Sequence, residues 1–173
     1  HEFWGIRKAG GPVENPEVEL PRGGTEKISG LTTDVFTDYA LQFIRDNRHR
    51  AFLLSLHYRA PHEPWVPVRP EDEAPFENLD LEIPNPDYPH LDTELVKNKT
   101  RQYLASVKSV DRNVGRVLQL LDRLQLAATT IVIFTSDHGY NLGEHGVWYK
   151  GNAIRALTEN PPQKWKNIPP ERR

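Results

Sequence analysis

Residues 129–134, Thr-Thr-Ile-Val-Ile-Phe, read as a strand that is apolar on both faces. β-Branched residues favour strands, and strands that are covered on both faces are typical of parallel sheets. A second apolar run at residues 51–56 is too short for a helix and lies between a charged loop and proline. The sequence therefore predicts two buried strands.

A helix is predicted before each strand. The first begins at Thr32 or Thr33, whose hydroxyl we expect to cap it, and ends near Asn47. Asp34 lies in its first turn, where a carboxylate favours the helix dipole. The order helix, strand, helix, strand predicts an α/β fold, with αβα layers around a mainly parallel central sheet.

The second helix begins at Asp92 or Thr93 and carries an apolar stripe, which we expect to pack on the sheet. Charged residues such as Arg112 are expected on the other faces of this helix. The stripe consists of Tyr103, Val107, Val110, Val114, Val117, Leu121 and Leu124.

The proline distribution sets the predicted organisation. None of the 15 prolines lies between residues 90 and 160, so regular structure should concentrate there. We interpret residues 1–173 as part of one domain. It comprises an irregular loop at residues 1–31, an αβ core at 32–151 and a proline-rich tail at 152–173.

Composition excludes several classes of protein. The charge balance of 22 Lys+Arg against 24 Asp+Glu does not favour nucleic acid as a partner. The longest apolar runs are far shorter than the roughly 20 residues of a membrane span. With no cysteine, these residues hold no thiolate metal site and no cysteine nucleophile. Because methionine is also absent, we expect either a piece of a longer protein or modified residues omitted from the sequence.

Polar clusters follow both predicted strands. His62 lies in the first cluster, and the second, at residues 136–146, includes Asp137, His138 and His145. Ligands of open α/β sheets bind at the carboxyl ends of strands, so this placement favours a site. Each cluster also has a plain interpretation: Asp-His-Gly often forms only a turn, His62 suits an ordinary loop, and Lys150 suits a solvated surface.

Three motifs resemble the type I sulfatases of the alkaline phosphatase superfamily. Residues 135–151, TSDHGYNLGEHGVWYKG, resemble the segment that closes the active site of these enzymes. Residues 52–64, FLLSLHYRAPHEP, resemble their upstream strand and Pro-His segment, and residues 103–126 resemble the helix between them. The likeness runs from about residue 32 to residue 151, with the motifs in the family's order. It implies that residues 1–173 are the internal part of one sulfatase-like catalytic domain.

The resemblance implies a role for each matching residue. Asp137 and His138 would bind a divalent metal, usually Ca²⁺, with Mg²⁺ as the alternative. His62 would contact the sulfate and the leaving-group oxygen, and Lys150 would bind the sulfate. His145 has no family role that we can assign, and we expect it to orient a neighbouring group through a hydrogen bond.

The family's nucleophile is a formylglycine made from Cys or Ser in a Cys/Ser-x-Pro-x-Arg segment, and this sequence has no such segment. We therefore expect the nucleophile upstream and the chain alone to be inactive. The resemblance implies a sulfate ester or a sulfated glycan as substrate. It also suggests a periplasmic, secreted or lysosomal-type compartment.

Two alternatives stay open. Sulfate and phosphate esters present similar tetrahedral anions, so a related phosphodiesterase or phosphonate hydrolase fits the same motifs. A remnant that binds sulfated glycans without catalysis also fits. Under any of these functions, aromatic residues such as Trp65 would either stack on a sugar or aryl ring or simply pack.

Overall fold

The computed structural model describes residues 5–6, 12–20 and 22–149, with the backbone alone at residues 5–6 and 149. The described chain divides into two compact units. One unit holds the described residues up to 79 together with residues 101–132, and the other holds residues 80–100 and 133–149. The helices are α1 (Thr32–Asn47), α2 (Pro70–Glu73) and α3 (Thr93–Arg123); the strands are β1 (Gly5–Ile6), β2 (Glu17–Glu19), β3 (Thr25–Lys27), β4 (Asn141–Leu142) and β5 (Trp148–Tyr149).

The first unit opens with a three-stranded antiparallel sheet in the order β1-β2-β3. Glu17 pairs with Lys27 and Val18 with Glu26, and Gly23 and Gly24 form the turn between the strands with positive φ angles. The prediction of an irregular loop at residues 1–31 is therefore wrong for the hairpin of β2 and β3. The Gly-Gly pair makes the turn of a hairpin, because glycine adopts positive φ without steric cost.

Helix α1 has the predicted ends but not the predicted cap. Leu31 occupies the cap position without a side-chain hydrogen bond, and Thr32 already belongs to the helix. The Thr32 hydroxyl donates instead to the carbonyl oxygen of Pro12 at 2.6 Å. The entry of the helix is thus held by the preceding chain rather than by a local cap.

The core of the first unit joins α1 to α3. Leu41 and Ile44 of α1 pack with Leu120 and Leu121 of α3. The prediction that α3 packs on a sheet is therefore wrong for the described residues, where α3 packs on a helix. Other partly buried side chains pack against this cluster: Phe52, Leu54, Val117, Leu124 and Leu126.

The two predicted strands do not form in the described part of the chain. Residues 51–56 and 129–134 form no strand, and Thr129 instead ends a short 3-10 helix, Ala127–Thr129. Leu53 is 91% exposed and Ile131 is 90% exposed, so neither segment is buried on both faces. A strand satisfies its backbone through a neighbouring strand, and the described residues offer these segments none.

The second unit contains the start of α3 and a short hairpin. Strands β4 and β5 pair Asn141 with Tyr149 and Leu142 with Trp148. Gly143 sits so close to Val96 of α3 that a Cβ at Gly143 would lie 2.6 Å from Val96 Cγ2. Within the described residues, the helices are too short or too polar to cross a membrane.

Candidate active site

His62 lies in a tight turn of the first unit. Its backbone amide donates to the carbonyl oxygen of Arg59 at 2.8 Å. Its ring Nδ1 lies 2.7 Å from the carbonyl oxygen of Glu63. Because a carbonyl oxygen can only accept, Nδ1 must carry the proton. In the neutral ring the lone pair then lies on Nε2.

Trp65 anchors the chain that follows His62. The indole is only 2% exposed, and its Nε1 donates to the carbonyl oxygen of Pro61 at 2.9 Å. The ring meets Tyr103 edge to face, with 5.9 Å between the centroids. Packing is thus the role that the structure gives Trp65, and its burial leaves no face for stacking on a sugar.

Tyr58 ties the chain before His62 to α1. Its hydroxyl lies 2.8 Å from the hydroxyl of Thr37. Burial raises the pKa of Tyr58 above its usual value, so the phenol stays neutral and can donate. The His62 turn is therefore held from both ends, by Tyr58 and by Trp65.

A partly buried ionic cluster that the sequence did not predict supports the same unit. Arg112 donates to Asp34 at 2.7 Å and to Asp72 at 2.9 Å, and Arg69 donates to Asp34 at 2.8 Å. Asn113 also donates to Asp34, at 2.8 Å. We call these five residues the ionic cluster. It joins α1, α2 and α3.

The ionic cluster keeps Asp34 charged. Burial raises the pKa of this carboxyl group, but the hydrogen bonds from Arg112, Asn113 and Arg69 outweigh that effect, and the net pKa lies below its ordinary value. The sequence predicted only that Arg112 lies off the apolar stripe of α3, and it gave no partner for the guanidinium, which reaches acidic groups on two other helices. Periodicity alone gives no signal for such a long-range pair.

Asp137 and His138 share one exposed turn in the second unit. His138 Nδ1 lies 2.7 Å from the carbonyl oxygen of Gly139, so Nδ1 carries the proton here as well. The Ser136 hydroxyl donates to the carbonyl oxygen of His138 at 2.7 Å. In this tautomer the lone pair of His138 lies on Nε2, which is the usual arrangement of a metal-binding imidazole.

His145 belongs to the turn between β4 and β5. Its amide donates to Asn85 Oδ1 at 3.3 Å, and its ring meets Tyr88 edge to face, with 6.2 Å between the centroids. Its φ angle of 50° is unusual for a residue with a side chain. These contacts tie the hairpin to residues 85–88, a link that the sequence did not predict.

The predicted site residues fall on different parts of the chain. Asp137 and His138 lie together in one turn, and His145 lies on the hairpin of the same unit. His62 belongs to the first unit. Lys150 follows β5 directly in sequence but lies outside the described residues. No group of three or more potential metal ligands occurs within the described ranges.

The family profile described as Sulfatase matches residues 7–166 of this chain. Human iduronate 2-sulfatase is 38% identical over 100 residues, which cover 58% of this chain and 17% of that protein. Choline-sulfatase of Rhizobium meliloti strain 1021 is 32% identical over 136 residues, covering 67% of this chain and 27% of that protein. The chain thus spans about a quarter or less of the length of these relatives.

Two solved structures share the fold. The sulfatase-family protein yidJ of Bacteroides fragilis superposes with a TM-score of 0.68 at 27% identity, covering 76% of this chain and 30% of that one. A protein solved with its substrate D-glucosamine-2-N,6-O-disulfate superposes with a TM-score of 0.70 at 23% identity, covering 86% of this chain and 45% of that one. These likenesses confirm the predicted α/β, alkaline phosphatase-like fold, of which this chain is a part.

Proposed function

This chain belongs to the sulfatase family, and from that premise we propose that the protein is a sulfatase that hydrolyses sulfate esters. The observation that carries the proposal is the family match over residues 7–166. This range includes all the residues to which the sequence assigns chemistry: His62, Asp137, His138, His145 and Lys150.

We propose that His62 protonates the leaving group. As the sulfur–oxygen ester bond breaks, its electron pair stays on the ester oxygen. A proton moves to that oxygen from Nε2 of the His62 imidazolium, which leaves the neutral ring with its remaining proton on Nδ1. The contact between His62 Nδ1 and the Glu63 carbonyl oxygen supports this assignment, because it commits Nδ1 to the backbone. Imidazole suits the task because it changes charge near neutral pH.

Asp137 and His138 are proposed to hold a divalent ion, Ca²⁺ or Mg²⁺. They fit part of such a site: one offers a carboxylate, and the other is fixed with its lone pair on Nε2. The ion would balance the negative charge of the sulfate oxygens. The Lys150 ammonium would add a second positive charge, and His145 would orient a neighbouring group.

The metal assignment has its own test. Adding Ca²⁺ to the metal-depleted full-length protein should raise its melting temperature, because an ion that binds only the folded state stabilises it. The Asp137→Ala variant should lose that rise. As a matched control, Asp122→Ala replaces an exposed aspartate of α3 and should keep it. An unchanged rise in Asp137→Ala would refute the assignment.

The nucleophile is proposed to be a formylglycine supplied by a part of the protein outside this chain, and the chain alone is proposed to be inactive.

A sulfated glycan is the proposed substrate class. The names of the relatives support it: iduronate 2-sulfatase, and an N-acetylglucosamine-6-O-sulfatase of Bacteroides thetaiotaomicron that is 49% identical over 49 residues. The proposed compartment is periplasmic, secreted or lysosomal-type, and a Caenorhabditis elegans relative is named as an extracellular sulfatase.

The role of His62 can be tested in the full-length protein with 4-nitrophenyl sulfate and with sulfated disaccharides. Loss of a positioned acid typically costs about 100-fold or more in rate. We expect such a loss of kcat in His62→Ala. We expect no change in His49→Ala, which removes an exposed histidine just beyond α1. Equal activity of the two variants would contradict the assignment.

A further inference from the structure

We propose that Arg59 is a positioning residue for His62, which it orients through the carbonyl oxygen of Glu63. The inference rests on the proposed sulfatase function, because it concerns the histidine to which that function assigns proton transfer. Neither the sequence motifs nor the comparisons assign a role to Arg59.

Two side chains converge on one backbone oxygen. Arg59 Nη2 donates to the carbonyl oxygen of Glu63 at 2.5 Å. His62 Nδ1 donates to the same oxygen at 2.7 Å. A carbonyl oxygen has two lone pairs, so it can accept both bonds together. The two side chains therefore share a single fixed acceptor.

Arg59 also closes the turn from its own backbone. The carbonyl oxygen of Arg59 accepts the amide of His62 at 2.8 Å. The guanidinium thus holds Glu63, on one side of His62, while the Arg59 carbonyl holds His62 itself. Both the acceptor of the imidazole and the backbone that carries the imidazole are tied to Arg59.

The orientation of the ring follows from this arrangement. Rotating the imidazole by half a turn would replace Nδ1 with a carbon and lose the bond to Glu63. A Glu63 carbonyl that moved would release the ring in the same way. By fixing the carbonyl, Arg59 keeps Nδ1 protonated and leaves proton transfer to Nε2.

The turn has other anchors, so its fold does not depend on Arg59 alone. Trp65 donates to the carbonyl oxygen of Pro61 at 2.9 Å, and Tyr58 bonds with Thr37 at 2.8 Å. Removing the Arg59 guanidinium should therefore free the imidazole of His62 more than it disturbs the surrounding chain.

The kinetic test exploits leaving groups of different acidity. Protonation matters most when the departing oxygen is strongly basic, so phenyl sulfate depends on His62 more than 4-nitrophenyl sulfate does. In the full-length protein, Arg59→Met should lower kcat for phenyl sulfate by about tenfold or more, as misplaced catalytic groups do. It should lower kcat for 4-nitrophenyl sulfate by about threefold or less, with little change in KM.

Two variants serve as controls. Arg59→Lys keeps a cationic donor on a shorter side chain and should recover a large part of the phenyl sulfate rate. Arg48→Met removes a different arginine that also donates to a backbone carbonyl, that of Arg45 at 3.2 Å, and should leave both rates unchanged. If Arg59→Met does not fold, Arg59→Lys must carry the test. It must lower kcat for phenyl sulfate more than kcat for 4-nitrophenyl sulfate, by a smaller factor than is expected of Arg59→Met.

Nitrogen-15 NMR of histidine-labelled full-length protein separates this inference from the function itself. The signal of His62, assigned by its absence in His62→Gln, should show a protonated Nδ1 in the wild type and a mixture of tautomers in Arg59→Met. An unchanged spectrum, or equal losses for both substrates, overturns the positioning role. If the wild type hydrolyses no sulfate ester, the proposed function fails while the spectrum still decides the role of Arg59.

Discussion

Arg112 on α3 contacts both carboxylate oxygens of Asp72 on α2, at 2.9 to 3.0 Å. The Asp72 side chain is 1% exposed and the Arg112 side chain is 19% exposed. Because Arg112 also reaches Asp34 at 2.7 Å, one guanidinium connects the three helices of the first unit. A shielded pair of this kind leaves an uncompensated charge when either partner is removed.

Arg112→Met should destabilise the protein, because it leaves Asp72 buried without its partner. Breaking a buried pair typically costs about 3 kcal/mol. The control is Lys108→Met on the same helix, whose ion pair with Asp111 is exposed. An exposed pair should cost about 0.5 kcal/mol or less. Chemical denaturation of the full-length variants measures both, and equal losses would contradict the account.

Acid should weaken the ionic cluster through Asp34. The pKa of Asp34 in the folded protein lies below its ordinary value. The charged carboxylate therefore stabilises the fold above the unfolded-state pKa of about 3.9. This stabilisation is lost as the pH falls through the folded-state pKa. The gap in melting temperature between wild type and Asp34→Asn should therefore be large near neutral pH and shrink below about pH 4. Asp38→Asn, at an exposed site of α1, should show a smaller gap. A gap that grows in acid would refute this.

Gly146→Ala should destabilise the hairpin. A Cβ there would lie 2.6 Å from Tyr88 Cε1, and its φ angle of 74° disfavours any side chain. Gly115→Ala makes the same chemical change inside α3, where nothing lies within 4 Å of the new carbon. That control should stabilise by about 0.5 to 1 kcal/mol. Melting temperatures should therefore move in opposite directions, and a shift of both in one direction would contradict the geometry.

The exposed apolar segment at residues 131–134 should be paired in the full-length protein. The sulfatase fold of its relatives is α/β, and Ile131 is 90% exposed in this chain. Hydrogen exchange on the full-length protein should find these amides strongly protected, as amides in a central sheet are. The exposed turn at Asp137 and His138 should exchange faster. Rapid exchange at 131–134 would argue against a sheet there.

Much of the fold could be predicted from local pattern. Helix α1 has the predicted ends, and α3 begins at one of the two predicted residues, Thr93, because periodicity and caps act within a few residues. Asp92 caps α3 by accepting the amide of Leu95 at 2.9 Å. The predicted strands at 51–56 and 129–134 do not form within the described residues, because strand pairing depends on distant parts of the chain that a local pattern does not contain.

The sequence could predict which residues are candidates for the site, but not which side chains they contact. The motif match identified His62, Asp137 and His138 as candidates, and the family match confirms the resemblance on which those roles rest. Their roles stay predictions. The side chains that hold the surroundings in place, such as Arg59 and Arg112, act through long-range or backbone contacts. Their partners follow only from the folded chain.

The most direct test of the proposed function compares kcat/KM of the full-length protein for an aryl sulfate and for the matching aryl phosphate. The account predicts that the sulfate is preferred, and that His62→Ala lowers turnover of the sulfate by about 100-fold or more. A strong preference for the phosphate would favour the related phosphodiesterases. Turnover of neither ester would favour a protein that binds sulfated glycans without catalysis, and both results would contradict the sulfatase assignment.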